Sequence, residues 1–319
     1  MFANSVLLLW FFDGFLQRMD RLLSTTFTPM SSKDFSAWRL DGEAVSETLE
    51  HVVEEGPLSV RVNGKPFTVT LRTPGDDRAL VLGLLFSEGL VETPTDLLAL
   101  WETTDKTQEA GAASWEASVP RRDAIASKLS NRSLASTSSC GFCGKTEWEG
   151  PNATCVTPGN PDHESQEELA LKITTKFLES CFGAMRERQD LFAQTGGSHA
   201  AAVFSADGRL LAFGEDAGRH NAVDKATGFL WEKGRLAEAS LLCVSGRVSY
   251  EIASKALRAG YAVLAAVSAP SSMAVEFCRE HGITLIGFCR GPRATVYAHP
   301  HRMAGGANLN LQNIIVEAV

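Results

Sequence analysis

The amino-acid sequence predicts an α/β fold, and three observations support this class. In the second half of the 319-residue chain, short apolar runs rich in β-branched residues alternate with helical segments of about ten residues. In the first half, a β-hairpin pattern precedes a short apolar helix. The composition, with 44% hydrophobic and 21% charged residues, is typical of a globular protein and excludes a chain that is disordered throughout.

The first predicted module is small and begins near Phe35. In residues 57–75, apolar residues alternate on both sides of Asn63-Gly64, which predicts a tight hairpin turn. Asp76 and Asp77 occupy N-cap positions ahead of the apolar run 80–86, and Gly89 is expected to end that helix. Further on, residues 101–139 become rich in Thr, Ser, Ala and Glu, which indicates the edge of the module and a linker.

The second predicted module opens with a helix and continues as an α/β unit. Ser165 and Glu168 form a capping-box pattern, and Leu169, Ile173 and Phe177 would share one helix face. A hairpin is expected over residues 199–213. The remaining predicted elements are helices at 222–232, 248–259 and 272–281 and strands at 241–245, 262–268, 283–288 and 294–298. Such alternation implies right-handed crossovers and a mixed, largely parallel sheet.

The sharpest local motif is SSCGFCGK, residues 138–145. Cys140 and Cys143 bracket two residues, glycines stand beside both, and Lys145 could help to hold a reactive thiolate. The motif lies in a Ser/Gly-rich connector, which indicates a mobile arm. A second Cys-x-x-Cys pair is absent, so a redox or sulfur-handling pair is preferred to half of a zinc site, and we predict no metal site.

Two polar motifs follow, TGGSHAA (195–201) and GEDAGRHNAVDK (214–225). A lone histidine entering a strand, such as His199, is more often a hydrogen-bonded core residue than a catalytic group, unless other groups converge on it. In the second motif, half of the residues can carry charge, and Gly218 and Asn221 indicate a shaped loop. A functional role is slightly favoured there over a solvated surface.

Arginines are expected to gather at one edge of the predicted sheet. Arg247 follows one strand, and Arg290 and Arg293 flank Gly291-Pro292 after another. In open α/β sheets, ligands bind beyond the carboxyl ends of the strands, and guanidinium groups with exposed backbone amides suit phosphate. A solvated arginine loop is the alternative. The chain carries a net charge of −8, so three arginines at one edge favour an anionic ligand.

The overall charge and the cysteine count limit the remaining function classes. A net charge of −8 disfavours binding of nucleic acid or an anionic membrane by the whole surface. Seven cysteines, an odd number, indicate chemistry in a reducing cytosol rather than a disulfide scaffold. The apolar run VLLLWFF (6–12) matches neither a signal peptide nor a membrane span, so we interpret it as an extension upstream of Met30.

Six segments, taken together and in this order, resemble the FdhD family, the formate dehydrogenase accessory sulfurtransferases. They are TPGDDRALVLGLLFSEGL, SSCGFCGK, TGGSHAAAVF, GEDAGRHNAVDK, SGRVSYEIASKA and GFCRGPRATVYAHP, between Thr73 and Pro300. Each segment is weak evidence alone, but the ordered set is specific.

The resemblance implies a cytoplasmic, typically homodimeric protein with a cytidine-deaminase-like three-layer core. The expected organisation is an unstructured or non-native extension (1–34), an N-terminal module (35–135), a mobile Cys-x-x-Cys loop (136–160) and the α/β domain (161–319). Such a protein takes persulfide sulfur from a cysteine desulfurase and delivers it to the molybdenum bis(molybdopterin guanine dinucleotide) cofactor, Mo-bis-MGD, of formate dehydrogenase. No glutamate stands two residues after His199, which disfavours deaminase chemistry.

The family's site residues fall on specific positions of this sequence. Cys140 corresponds to the persulfide-carrying cysteine, and Cys143 is its partner. The expected cofactor-binding residues are His199, Arg247, Phe288, Cys289, Arg290, Gly291, Pro292 and Arg293, and GDP should act as a partial mimic of the cofactor. Two alternatives remain open. A cofactor chaperone would bind Mo-bis-MGD without transferring sulfur, and a metal-binding redox protein would carry stoichiometric zinc or iron.

Overall fold

The computed structural model describes residues 31–103, 112–120 and 173–304. The first described element is a hairpin that was not predicted from the sequence, formed by β1 (Ser32–Asp41) and β2 (Ala44–Val53). The predicted hairpin follows and is confirmed as β3 (Gly56–Val62) and β4 (Lys65–Arg72), with Asn63 and Gly64 at the turn. The capping-box residues Ser165 and Glu168 lie outside the described residues.

A four-stranded sheet forms around the predicted hairpin. β5 (Ala99–Glu102) and β6 (Ala113–Ser118) join it in the order β4-β3-β6-β5. β3 and β6 are parallel, whereas the two other pairs are antiparallel. Because β6 pairs with β3 from a distant part of the chain, local sequence patterns could not reveal it.

The predicted apolar helix is α1 (Asp77–Ser87), and its start differs from the expectation. Asp76 occupies the N-cap in the left-handed region, with φ 55°, and its side chain makes no capping hydrogen bond. Asp77 instead accepts two hydrogen bonds from the Arg72 guanidinium, at 2.8 and 2.7 Å. Gly89, with φ 68°, lies just beyond the helix end, as predicted.

The helix predicted from the pattern Leu169, Ile173 and Phe177 begins later than expected. Ile173 forms an isolated β-bridge with Met303, and α2 begins only at Thr175 and continues to Arg186. The Thr174 side chain caps it by accepting a hydrogen bond from the backbone N–H of Phe177. The short α3 (Asp190–Thr195) follows.

The predicted α/β order of the second module is confirmed. The hairpin β7 (His199–Phe204) and β8 (Leu210–Asp216) precedes α4 (Arg219–Glu232). The elements that follow are β9 (Leu241–Val244), α5 (Tyr250–Arg258), β10 (Val263–Ala266), α6 (Ser272–Glu280), β11 (Thr284–Arg290) and β12 (Arg293–Ala298). None of the helices in the described residues is long and apolar enough to cross a membrane.

The six strands form one mixed sheet in the order β12-β11-β10-β9-β7-β8. Parallel pairing is limited to β9, β10 and β11, so the expectation of a largely parallel sheet needs correction. β7 and β8 are antiparallel to their neighbours, and β12 returns antiparallel on β11. The reason is that both outer pairs are hairpins with short turns, and such turns reverse the chain.

Both faces of this sheet are covered, which gives three layers. On one face, Val203, Leu242 and Leu264 belong to a buried cluster with apolar residues of α1, α4, α5 and α6. On the other face, Ala202 and Cys243 pack with apolar residues of α2. Residues of the four-stranded sheet, α1 and α4 share the first cluster, so both predicted modules contribute to one core.

Candidate functional site

The sheet topology brings the predicted arginines to one edge. β9 and β11 are linked through β10 in parallel order, so Arg247, just after β9, and Arg290, at the end of β11, lie at the same edge. β12 and β7 run in the opposite direction, so their first residues, Arg293 and His199, lie at that edge too. We call this the arginine edge: His199, Arg247, Arg290 and Arg293.

The turn between β11 and β12 has an unusual backbone. Arg290 and Arg293 pair across Gly291-Pro292, and Gly291 takes φ 54°. Phe288 also has a positive φ, 52°, and the register between the strands shifts after Gly287. A positive φ is strained for an aromatic residue, and such strain often accompanies a functional site. The Phe288 side chain is 43% exposed, so its ring can contact a ligand.

The arginine side chains are open to solvent. Arg247, Arg290 and Arg293 are all exposed, as are Gly291 and Pro292. Nε of Arg290 donates to the carbonyl oxygen of Val267 at 3.3 Å, which holds the guanidinium at the end of β10, the neighbouring strand. The arrangement can therefore offer positive charge and planar donors to an anion.

Cys289 lies within the same segment but faces the core. Its side chain belongs to the buried cluster under α2, and burial raises the pKa of its thiol to about 11. Any contact from Cys289 to a ligand at this edge would therefore come from its backbone. Cys181 and Cys243 belong to the same cluster, and burial raises the pKa of both thiols. These three thiols are poor nucleophiles because the protonated form is favoured.

His199 lies half-buried at the start of β7, against the loop that follows β9. A Cβ on Gly246 would lie 3.2 Å from Nδ1 of His199 and 3.7 Å from Cβ of Arg219, so the glycine allows this close approach. Burial and the nearby Arg219 lower the pKa of His199, whereas Asp216 opposes the change. The neutral imidazole is favoured, and Arg219 adds a further cation beside it.

Two residues of the polar motif GEDAGRHNAVDK, Asp216 and Lys225, make contacts that hold the fold together. Asp216 is fully buried, and its carboxylate accepts hydrogen bonds from the backbone N–H of Thr73 (3.0 Å) and from Asn221 (3.0 Å). Nζ of Lys225 lies 2.8 Å from that carboxylate and donates to the carbonyl oxygens of Thr73 and Glu215. These residues fasten the loop before α1 to the large sheet.

A second charged cluster lies between α4 and α5, close to the arginine edge. Lys255 donates to both carboxylate oxygens of Asp224, at 2.9 and 2.8 Å, and Ser87 of α1 donates to one of them. Nε2 of His220 lies 3.3 Å from Oε2 of Glu251. Burial raises the pKa of Glu251 to about 7, with Lys255 opposing the rise.

Sequence reasoning missed this cluster, although a signal was present. His220 and Asp224 are four residues apart on α4, as are Glu251 and Lys255 on α5. Two such pairs lie on helix faces that can oppose one another. Only the packing of α4 against α5 shows that they do.

Cys140 and Cys143 lie outside the described residues, so their role stays a prediction from the sequence. Within residues 31–103, 112–120 and 173–304, no group of three or more His, Cys, Asp or Glu side chains is arranged to hold a metal ion.

The fold and the arginine edge together describe a three-layer α/β protein with a cationic sheet edge. Residues 53–304 match the model of the FdhD/NarQ family. The chain belongs to that family, as the ordered motifs predicted.

Relatives and a solved structure agree with this assignment. The sulfur carrier protein FdhD of Streptomyces coelicolor is 41% identical over 271 residues, which cover 83% of this chain and 93% of that protein. The sulfur carrier protein FdhD of Mycobacterium tuberculosis is 40% identical over 273 residues, which cover 83% and 95%. A crystal structure from Desulfotalea psychrophila, of a protein proposed to be a formate dehydrogenase accessory protein, matches with a TM-score of 0.62 and 20% identity. It covers 86% of this chain and 100% of that chain, and at this identity it shows the fold alone.

Proposed function

We propose that this protein is a sulfur carrier and sulfurtransferase required for formate dehydrogenase activity. In this proposal it accepts persulfide sulfur from a cysteine desulfurase and delivers it to Mo-bis-MGD, which is a bound substrate rather than a resident cofactor. Membership of the FdhD/NarQ family and about 40% identity to proteins named sulfur carrier protein FdhD support the sulfur-carrying role.

Cys140 is the proposed sulfur-carrying residue. Its thiolate would attack the outer sulfur of the desulfurase persulfide, a new S–S bond would form on Cys140, and the donor cysteine would leave as a thiolate. No net oxidation is needed, because one S–S bond replaces another. Cys143, three residues further on, would assist release of the sulfur. The buried cysteines Cys181, Cys243 and Cys289 are unsuited to this role, since burial raises their thiol pKa values.

One observation carries the cofactor-binding part of the proposal: four cationic or imidazole side chains from four strand ends share the arginine edge. Guanine dinucleotide phosphates are anionic and suit arginine forks, and the exposed Phe288 ring suits a base. The proposed contacts to Mo-bis-MGD come from His199, Arg247, Phe288, Cys289, Arg290, Gly291, Pro292 and Arg293. GDP would bind the same edge as a partial mimic.

The proposal also includes a cytoplasmic homodimer with formate dehydrogenase as the acceptor and a core similar to cytidine deaminases. A cofactor chaperone that holds and inserts Mo-bis-MGD without transferring sulfur is the second candidate. The arginine edge supports this chaperone function as well as it supports sulfur transfer, because anion binding there does not require Cys140. The two candidate functions therefore differ in whether Cys140 is required.

Mass spectrometry of the protein after incubation with a cysteine desulfurase and cysteine tests the choice directly. A sulfur carrier should gain the mass of one sulfur atom on the peptide that contains Cys140. Cys140→Ala should fold, fail to gain sulfur there and fail to activate formate dehydrogenase, because a methyl group cannot hold sulfane sulfur.

The matched controls are Cys181→Ala and Cys243→Ala, which should retain activation where circular dichroism shows that they fold. An active Cys140→Ala variant would leave the chaperone as the better explanation.

A further inference from the structure

Two titratable side chains without a role in the proposed function lie next to the arginine edge, His220 on α4 and Glu251 on α5. His220 directly follows Arg219, and a Cβ on Gly246 would lie 3.7 Å from Cβ of Arg219. The start of α4 is therefore next to the loop that carries Arg247. Glu251 is four residues after Arg247, in the first turn of α5. Both side chains thus belong to the N-terminal ends of helices at this edge.

The loop before α5 is fixed by backbone hydrogen bonds. The backbone N–H of Val248 donates to the carbonyl oxygen of Ala269 at 3.2 Å, and its carbonyl oxygen accepts from the backbone N–H of Ser271 at 2.9 Å. The Ser249 side chain caps α5 by accepting a hydrogen bond from the first turn of the helix. The first turn of α5 is therefore held in place relative to the sheet.

His220 and Glu251 are close enough to exchange a proton. Nε2 of His220 lies 3.1 Å from Oγ of Ser249 and 3.3 Å from Oε2 of Glu251. Oε2 is buried and, among the described residues, accepts no hydrogen bond of good geometry. After a small side-chain rotation, a proton on Nε2 can pass to this oxygen, and a proton on Oε2 can pass to the unprotonated nitrogen. We call these two side chains the proton pair.

The charges around the proton pair favour the retention of one proton. Lys255 donates to both carboxylate oxygens of Asp224, at 2.9 and 2.8 Å, but its Nζ is 3.7 Å from Oε1 of Glu251. Two carboxylates therefore share one ammonium group, and Asp224 is the closer partner. Burial, together with Asp224 and Glu88, raises the pKa of Glu251 to about 7, whereas Lys255 and Arg219 oppose the rise. A group that titrates near neutral pH is well suited to acid–base catalysis.

We infer that His220 and Glu251 are the acid–base pair that moves protons when sulfur is transferred at the arginine edge. The inference deepens the proposed function and rests on it. The neighbouring polar groups have structural contacts instead, since Asp224 is held by Lys255 and by Ser87 of α1. The Glu251 side chain is 20% exposed, so the proton pair can still exchange protons with a bound substrate or with solvent.

The transfer itself requires proton movement. The Cys143 thiolate would attack the Cys140 sulfur of the persulfide, so that a Cys140–Cys143 disulfide forms and the outer sulfur leaves as hydrosulfide. The outer sulfur is reduced by two electrons, which the two cysteines supply. Hydrosulfide then replaces an oxo ligand of Mo-bis-MGD, and that oxygen leaves as water without a change in the metal's oxidation state. The two protons of this water come from the Cys143 thiol and the persulfide, and a small thiol reduces the disulfide before another transfer.

A single-turnover assay tests the proton pair in the full-length chain. The protein is loaded with persulfide by a cysteine desulfurase and cysteine, freed of both, and mixed with formate dehydrogenase that carries unsulfurated Mo-bis-MGD. The gain of formate dehydrogenase activity and the loss of sulfur from the Cys140 peptide, measured by mass spectrometry, give the transfer rate.

Glu251→Gln and His220→Gln should each acquire persulfide on Cys140 and bind GDP as the wild type does. Both should transfer sulfur about 100-fold more slowly or worse, because a positioned acid–base group contributes roughly 10²–10⁴-fold to a rate. The double variant should be no slower than either single variant, since residues that act as a unit are not additive. Ser87→Ala is the matched control and should keep the wild-type rate, because it removes a hydrogen bond to Asp224 and leaves the proton pair intact.

The pH dependence separates proton transfer from a structural role of Glu251. The ratio of the wild-type rate to the Glu251→Gln rate should be largest below pH 7 and fall as the pH rises through about 7, because the proton pair then loses its proton. Titration of the cysteines affects both proteins equally and cancels in this ratio.

Three outcomes would overturn the inference and leave the proposed function standing. They are wild-type transfer rates in both folded single variants, an equally large slowing by Ser87→Ala, and a rate ratio that does not change with pH. A wild-type chain that gains no sulfur on Cys140, or that gains sulfur and does not pass it on, would instead contradict the proposed function and the inference with it.

Discussion

Arg290 and Arg293 stand on either side of a two-residue turn, and both are exposed at the same sheet edge. Replacing both with alanine should weaken GDP binding by about 2–4 kcal/mol, because each guanidinium can form charge-assisted hydrogen bonds to phosphate. That loss corresponds to roughly a 30- to 1,000-fold change in affinity, measured by calorimetric titration. Affinity of the wild type should also fall as salt rises, since part of the attraction is electrostatic.

A double variant at Arg209 and Arg235 removes the same charge at a distance from this edge. Both arginines bond Glu238 at the opposite end of the sheet, so their replacement should leave GDP affinity nearly unchanged. Persulfide formation on Cys140 should also survive in the Arg290/Arg293 variant. Equal GDP affinities of the wild type and the Arg290/Arg293 variant would show that the anion site lies elsewhere, with Arg247 or Arg219 as the next candidates.

Glu251 should make stability depend on pH. Burial raises its pKa from 4.5 to about 7, with Asp224 and Glu88 adding to the rise and Lys255 and Arg219 opposing it. The raised pKa means that the protonated form is favoured in the folded state. Stability from this group is therefore fully present below pH 4.5 and is lost as the pH rises through about 7, by up to about 3 kcal/mol.

Glu251→Gln should remove this dependence, because the amide stays neutral at every pH. Urea unfolding between about pH 5 and 8 should show a smaller decline in the free energy of unfolding for the variant than for the wild type. Glu276→Gln, at an exposed position on α6, is the control and should follow the wild type. Parallel curves for wild type and Glu251→Gln would mean that Glu251 titrates normally.

At the scale of single residues, the sequence predicted which residues lie at strand ends. It did not predict which residues contact others that are distant in sequence. Arg247, Arg290 and Arg293 follow or begin apolar runs, so strand ends alone indicated that they meet. Asp216 and Lys225 are equally polar, but their partner Thr73 is more than 140 residues away in sequence. Charge pattern alone therefore could not reveal the structural contacts of these two residues.

At the scale of elements, the crossing of α1 and α4 is set by two glycines. A Cβ on Gly228 would collide with the backbone carbonyl of Ala79, and one on Gly83 would collide with that of Asp224. Gly228→Ala should therefore destabilise the protein by about 1–3 kcal/mol or more, because backbone atoms must move apart. Chemical denaturation measures the change.

Gly183→Ala provides the matched control for this crossing. Gly183 lies on α2 and is exposed, and a Cβ added there would have no neighbouring atom within 4 Å. Alanine has the higher helix propensity, so this variant should be unchanged or stabilised by up to about 1 kcal/mol. Equal destabilisation of both variants would show that the close approach of α1 and α4 does not explain the loss at Gly228.

Element prediction succeeded where the local pattern and the environment agreed. The Asn63-Gly64 hairpin has a turn sequence between alternating apolar residues, and α5 and α6 combine a serine N-cap with one apolar face. All three form near the expected residues. The start of α2 was misplaced because Ile173 continues the apolar spacing of a helix but pairs with Met303 as a strand would. The β1–β2 hairpin was missed because both of its faces mix charged and apolar residues, which hides the alternation typical of a half-buried strand.

At the scale of the whole molecule, both predicted modules are joined by one core and by buried polar contacts. α1 packs on α4, and Lys225 of α4 donates to the carbonyl oxygen of Thr73 in the loop before α1. The class α/β followed from the alternation of helices and strands, but the order β12-β11-β10-β9-β7-β8 did not. Strand order depends on which hairpins flank the parallel strands, and local periodicity does not encode that choice.

The extension before Met30 should be dispensable for the whole fold. β1 begins at Ser32, and the described contacts at its base use Ser31, Lys33 and Glu54, all of which a chain beginning at Met30 keeps. That shortened chain should therefore have the melting temperature of the full chain and activate formate dehydrogenase equally. A large fall in melting temperature would show that VLLLWFF packs on the fold, and a loss of the proposed homodimer alone would assign it to the contact between copies.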